Sequence, residues 1–261
     1  MVVQIPPVIP GEPLKVSAST YVTWRECPER AAARFRGYYG KPSRAGFTGG
    51  LAHRIFSRHL REGPISDGEF EQVCREEIGA SNLTNQMGDL GIRPSTLREI
   101  VGEVQSLYRR FVAFPDEGFE GAEVDLDYES DPDLELVGRI DAVYRPDRGG
   151  HRLVDWKTGE LGDPSDQLLF YGLLWALARE EVPAELVAVS VATGERFEEQ
   201  PSEEDLMNVA AEVAELVNQV RRSWEAGTDL ERIAGPWCRY CPVLEECSEG
   251  QAAEALLANP Q

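Results

Sequence analysis

The sequence predicts an α/β fold in which a mixed sheet is packed by helices. Three observations point there. The middle of the chain alternates apolar and polar residues in three consecutive runs, FEGAEVDLDYE (119–129), ELVGRIDAVYR (135–145) and HRLVDWKTG (151–159), as half-covered strands do. A strongly apolar helical segment, DPSDQLLFYGLLWALAREE (163–181), follows them directly. The order of helices, three strands, helix, strand and helix is that of a sheet covered by helices.

Taken in order, residues 1–16 are proline-rich and predict an extended segment. Residues 17–35 read as one helix, with Ser17 or Ser19 available as N-cap. Residues 37–50 (GYYGKPSRAGFTGG) read as a turn-rich loop, and 51–63 as a short amphipathic helix with Leu51, Ile55 and Phe56 at helical spacing. A helical insertion is expected over about 65–115, broken at GIRPS near Pro94. In 163–181, Asp163 caps the helix and Pro164 takes its first position. Residues 184–199 form one strand or two, and 203–227 a long amphipathic helix. A cysteine-bearing segment (236–248) and a tail (249–261) end the chain, so 17–248 is expected to be a single domain.

With 42% hydrophobic and 28% charged residues, the chain can bury a substantial core. Its apolar runs are shorter than the roughly 20 residues needed to span a bilayer. The start of the chain lacks a basic region followed by an apolar run, so the expectation is a cytoplasmic protein with no membrane partner. The net charge of −20 argues against a general affinity for nucleic acid. Its distribution is uneven, however. From Arg25 to Arg61 there are nine lysines and arginines against only Glu26 and Glu29. That segment can meet phosphates while the remaining surface repels them; alternatively it is a solvated basic face.

The second and third alternating runs are separated by Pro146-Asp147-Arg148-Gly149-Gly150, a loop suited to an antiparallel hairpin. If the hairpin is symmetric about Arg148, Asp141 lies directly opposite Asp155, with Cβ atoms roughly 5 Å apart. Facing carboxylates repel, and a divalent cation such as Mg²⁺ or Mn²⁺ removes that cost. Lys157, two residues beyond Asp155, shares its face, where it can orient or deprotonate a water and offset developing charge. The Trp156 carbonyl can add a metal ligand while its indole turns inward. A one-residue slip would separate the aspartates, and a hairpin of solvated acids is the plainer alternative. Lys157 is one of only three lysines in the chain.

GRIDAVYR, VDWKTG and QLLFYGLL together resemble the RecB-like nucleases of the PD-(D/E)XK superfamily, including CRISPR-associated RecB-like exonucleases and phage relatives. The resemblance spans Ser17 to Cys247 and implies a restriction-endonuclease-like sheet flanked by helices. It implies that Asp141, Asp155 and Lys157 form the catalytic metal site. Gln167 and Tyr171 match the downstream QxxxY pair, at i and i+4 on one helical face. GGLAHRIF resembles the family's glycine-then-histidine motif and makes His53 a further metal ligand. Glu123 sits where relatives carry a strand acid, as a metal ligand or a supporting group. His59 and His151 match nothing.

Cys238, Cys241 and Cys247 offer three soft ligands on one short segment, and Cys27 supplies a fourth. The spacing admits Zn²⁺ nearly as readily as an iron–sulfur cluster. The resemblance implies the cluster, since one cysteine before the core and three after it match the 4Fe-4S staple of AddB-type and CRISPR-associated nucleases. In that case the staple joins the chain ends. Cys74 reads as a small buried residue.

The function implied is a metal-dependent DNA exonuclease, acting on single strands or duplex ends in repair, recombination or phage DNA processing. A spacer-processing nuclease of CRISPR adaptation shares this chemistry. A non-catalytic DNA-binding module stapled by the cluster is the alternative from another class. The chain carries no phosphate-binding GxxxxGK[ST] loop, so unwinding would fall to a helicase, recombination or adaptation partner.

Overall fold

The alternating runs become the centre of a six-stranded mixed sheet in the computed structural model, which describes residues 3–130, 133–147 and 149–258. Arg148, the expected centre of the hairpin loop, lies outside the described residues, as do 1–2, 131–132 and 259–261. The strands are β1 (Leu14–Ser17), β2 (Phe119–Ser130), β3 (Leu134–Tyr144), β4 (Arg152–Lys157), β5 (Glu185–Ser190) and β6 (Arg196–Glu199). β2 runs antiparallel along the length of β3. The opposite edge of β3 is shared. Parallel β1 takes Leu134 to Val137, and antiparallel β4 takes Ala142 to Tyr144. β5 lies parallel to β4, and β6 closes antiparallel on β5.

Nine helices are described: α1 (Ala18–Glu26), α2 (Pro28–Phe35), α3 (Arg44–Glu62), α4 (Phe70–Gly79), α5 (Leu83–Asp89), α6 (Pro94–Phe111), α7 (Ser165–Arg179), α8 (Glu203–Ala226) and α9 (Ser248–Ala258). They form two cores, one on each sheet face. Leu136, Ile140 and Leu153 pack with Leu173 of α7 and Val213 and Val217 of α8. Ala142, Val154 and Trp156 pack with Ile55 and Phe56 of α3 and Phe111 of α6. The neighbouring strands β4 and β5 are buried almost throughout because both their faces are covered. No helix among the described residues is long and apolar enough to cross a membrane.

Several elements depart from the sequence expectation. Residues 17–35 are two helices, because Cys27 adopts an extended backbone (φ −160°, ψ 108°) ahead of Pro28. Proline disfavours the helical region for the residue before it. Ser17 is the N-cap of α1, accepting a hydrogen bond from the Thr20 amide. The loop after α2 ends at Ser43, whose hydroxyl accepts from the Gly46 amide and starts α3 there. Gly49 and Gly50 therefore lie inside a helix. A methyl group on Gly49 would come 3.2 Å from the Thr158 hydroxyl, so the glycine lets α3 approach the end of β4. Pro164 stands at the N-cap rather than the first turn of α7, while the Asp163 carboxylate accepts from the Ser165 amide. The tail after 248 is helical as α9. β1 was hidden in the proline-rich start because four residues carry too little periodicity.

Candidate metal centre

The ladder between β3 and β4 begins at Tyr144↔Arg152 and ends at Ala142↔Val154, the register that symmetry about residue 148 requires. It stops one step before Asp141 and Asp155. There β4 draws away from β3, and Asp141 Oδ2 accepts the Trp156 amide at 2.7 Å, a side chain standing in for the next ladder bond. The strand edge that β1 has left and β4 no longer pairs is therefore where the chemistry-bearing groups gather.

Groups from both sheet faces reach this gap. From α3, His53 Nδ1 lies 3.0 Å from Asp141 Oδ1. From β2, Glu123 brings a carboxylate oxygen into the same cluster, and the ligand atoms of His53, Glu123 and Asp141 all lie within 4.8 Å of one another. Glu123 drops out of the β2–β3 ladder between Ala122↔Ala142 and Val124↔Ile140. Its backbone is left-handed (φ 52°), and the other described non-glycine residue with positive φ is Glu180, which caps α7. Such a conformation costs about 1–2 kcal/mol for an L-residue and survives where the surroundings impose it.

On β4, Asp155 and Lys157 share one face, as expected, and meet α7. Gln167 ties them together: its Oε1 accepts from Lys157 Nζ at 2.6 Å, and its Nε2 donates to Asp155 Oδ1 at 2.9 Å and to Tyr171 Oη at 3.1 Å. Lys157 Nζ also lies 2.8 Å from Asp155 Oδ2, a close ion pair at the buried oxygen. Trp156 points to the opposite face, packed against Phe111 and Phe114.

The electrostatics reflect crowding of like charges. Burial and the Asp141 carboxylate push the Asp155 pKa up to about 6, against the pull of Lys157 and His53. Burial and Asp141 likewise raise Glu123, opposed by His53, Arg139 and Arg54. Burial disfavours a charged His53, yet the ion pair and hydrogen bond with Asp141, assisted by Asp155 and Glu123, raise its pKa to about 9. Burial and then Asp155 keep the Tyr171 phenol protonated well above its ordinary range. Three carboxylates around one imidazole form a negative pocket suited to a cation.

A family model described as the PD-(D/E)XK nuclease superfamily matches residues 15–248. The chain belongs to that superfamily. Members of the PD-(D/E)XK nuclease superfamily are nucleases, so membership implies hydrolysis of phosphodiester bonds. The mixed sheet flanked by helices agrees with its restriction-endonuclease-like fold. A solved structure titled "Crystal structure of SSO0001" is similar over 92% of this chain and 88% of its own, at 14% identity and a TM-score of 0.39. A comparison with curated proteins found no match.

Beyond the metal pocket, the fold gathers Cys27, Cys238, Cys241 and Cys247 around one small cavity, with none in a disulfide. Backbone amides point at three of the sulfurs: Ile233 at Cys27, Gly235 at Cys238 and Gly250 at Cys247, at 3.3–3.4 Å. Cys74 is buried far from them, and burial pushes its thiol up to about 12.

The basic segment is less available than its composition suggests. Arg25, Arg30, Arg36, Arg44, Arg54 and Arg58 all pair with carboxylates, several of them on distant elements, such as Glu212 for Arg25 and Glu77 for Arg54. His151, which matches no motif, is buried between Glu181 (2.9 Å) and Glu120 (3.1 Å) and braces the far end of the hairpin. Alternation along β2 marks Glu123, Asp125 and Asp127 alike as polar positions, and only the backbone twist at Glu123 singles it out.

Proposed function

We propose that this PD-(D/E)XK nuclease is a metal-dependent DNA exonuclease acting on single strands or duplex ends. The observation that carries the reading is convergence: His53, Glu123 and Asp141 form one ligand cluster beside Asp155 and Lys157, themselves locked by Gln167. A non-catalytic binding module would have no need to keep Asp141, the buried Asp155 and a strained Glu123 together.

The residues present fit a divalent cation. Carboxylates suit Mg²⁺ and Mn²⁺, and the imidazole tilts the preference toward Mn²⁺. The burial of Asp155 beside the Asp141 charge and the left-handed Glu123 are both costs that a bound cation would offset. His53, Glu123, Asp141 and Asp155 would hold it, with the Trp156 carbonyl as a further ligand. When bound, such an ion polarises a phosphoryl oxygen and lowers the pKa of a water.

The chain's own groups supply the rest. Lys157, held by Gln167 and beside Asp155, is placed to orient an attacking water or balance charge on the phosphate. Gln167 fixes the lysine, and Tyr171 Oη accepts from Gln167 and so limits its rotation. Asp141 is immobilised by the Trp156 amide and aims its other oxygen at His53.

The four cysteines fit a 4Fe-4S cluster in this reading, held partly by the three amides that point at their sulfurs. The cluster would tie α2 to the end of the chain. Zinc is the lesser alternative. The test is incubation of anaerobically purified protein with end-labelled single- and double-stranded DNA, with Mg²⁺, with Mn²⁺ and with chelator. Ladders that shorten from an end, only with metal, are expected; internal cuts in circular DNA would contradict the exonuclease assignment.

A further inference from the structure

Three tyrosines lie more than half exposed: Tyr38 (53%), Tyr39 (69%) and Tyr240 (66%). Large aromatic rings are seldom left in water without a use, since each forfeits the burial it could have had. Two are neighbours in the loop between α2 and α3, and the third belongs to the cysteine segment 201 residues after Tyr39. The fold brings the two pieces together. A methyl group added to Gly40 would come 3.3 Å from the Tyr240 carbonyl, so the loop lies directly on that backbone. The loop is anchored on its other side, where the Gly37 and Tyr38 amides donate to the carbonyls of Arg34 and Ala33.

The same surface is cationic. Arg239 sits 5.3 Å from the centre of the Tyr240 ring. Lys41 lies in the loop itself. Arg34 donates to the Ser19 hydroxyl, and burial, then the nearby Arg30, disfavour its charge, opposed by Tyr39 and Glu26. Unlike most of the basic segment, Arg34, Lys41 and Arg239 have no acidic partner within 4.0 Å among the described residues. Rings that stack and cations free to meet phosphate are the two components of single-strand recognition. On a protein of net charge −20 their coincidence at one place is informative.

The patch is also connected to the metal centre. The loop runs straight into α3, and His53 is nine residues after Arg44, about 14 Å along the helix axis at 1.5 Å per residue. The loop that carries Tyr38 and Tyr39 and the helix that carries His53 are thus consecutive pieces of one segment.

We infer that Tyr38, Tyr39 and Tyr240, with Arg34, Lys41 and Arg239, form a stacking platform that binds single-stranded DNA leading to or from the cleavage site. This rests on the nuclease reading and adds the form of the substrate. Duplex bases are stacked on one another and offer no free faces, so the platform discriminates for single strands. Stacking is tolerant of sequence, so it selects no particular base.

The test is equilibrium binding of a fluorescent oligo-dT and of a blunt duplex to the full protein with Ca²⁺ in place of Mg²⁺. Variants carry Tyr38, Tyr39 and Tyr240 changed singly and together to Ala or to Phe. Each Tyr→Ala is expected to weaken oligo-dT binding by roughly fivefold or more. The Phe variants keep the wild-type affinity, because stacking needs the ring and not the hydroxyl. The slope of log affinity against log salt stays unchanged, since no phosphate contact is lost. Wild-type affinity in the triple Ala variant, equal losses on duplex and oligo-dT, or failure of the Phe variants to bind would each overturn the platform. Cleavage of bis(p-nitrophenyl) phosphate separates the two readings, because that substrate is too small to reach the tyrosines. If it is cleaved by the wild type and by the triple Ala variant alike, the nuclease stands whatever the platform result. No cleavage by wild type would remove the nuclease reading on which the platform depends.

Discussion

Asp155→Asn should make the chelated protein more stable while abolishing cleavage. Asp155 is only 5% exposed and lies beside the Asp141 charge. Its pKa rises from 3.8 to about 6 through burial and the Asp141 charge. Each unit corresponds to about 1.4 kcal/mol, so ionised Asp155 costs the fold up to about 3 kcal/mol at pH 7. Asparagine keeps the oxygen that accepts from Gln167 but turns an amide toward Lys157, so a net gain of about 1–2 kcal/mol is expected. For a chain of this size that is an upward shift of roughly 2–8 °C in Tm. The sign follows from linkage. A raised carboxyl pKa means the folded state holds its proton more tightly, so the penalty is absent below pH 3.8, grows to pH 6 and is complete at pH 7. Thermal melts in chelator at pH 7 and at pH 4 check this, with the gap between variant and wild type closing at the lower pH. Mn²⁺ should raise the wild-type Tm and leave the variant nearly unmoved. A variant less stable than wild type at pH 7 in chelator would refute the argument that this site stores repulsion for a cation.

Lys157→Met should lower cleavage by at least 100-fold while Mn²⁺ still raises Tm, because the lysine is placed to act on the water and not on the metal; calorimetric titration with Mn²⁺ reads the second half. His53→Ala and Glu123→Gln should each weaken Mn²⁺ binding by about tenfold or more, and unchanged affinity in Glu123→Gln would remove it from the ligand set. Cys27→Ala, Cys238→Ala, Cys241→Ala and Cys247→Ala should each yield colourless protein that melts earlier, whereas Cys74→Ala keeps iron; metal analysis showing zinc and no iron in anaerobic wild type would replace the cluster. Ser202→Ala should cost about 1 kcal/mol by opening the capping box with Asp205 at the start of α8, measured by urea unfolding.

Much of this protein was legible in the chain itself, because the signals involved are local. Alternation marked β2, β3 and β4, and the loop between the last two was enough to set their register, since a hairpin's pairing follows from its turn. The Asp155–Lys157 spacing placed both on one face, and the four-residue step from Gln167 to Tyr171 placed those two on another. What required the tertiary structure was whatever depends on elements distant in sequence. The splaying of β4 from β3, which frees Asp141 to accept the Trp156 amide, arises because two strands share one edge. Glu123 reaches the His53–Asp141 cluster through a backbone twist imposed by its surroundings. The basic segment looked free because the acids that neutralise it, Glu77, Glu103, Asp166 and Glu212, come from other elements. Periodicity and turn chemistry report on neighbours along the chain, whereas charge pairing, close approach and ligand geometry are settled by which surfaces the packed core brings into contact.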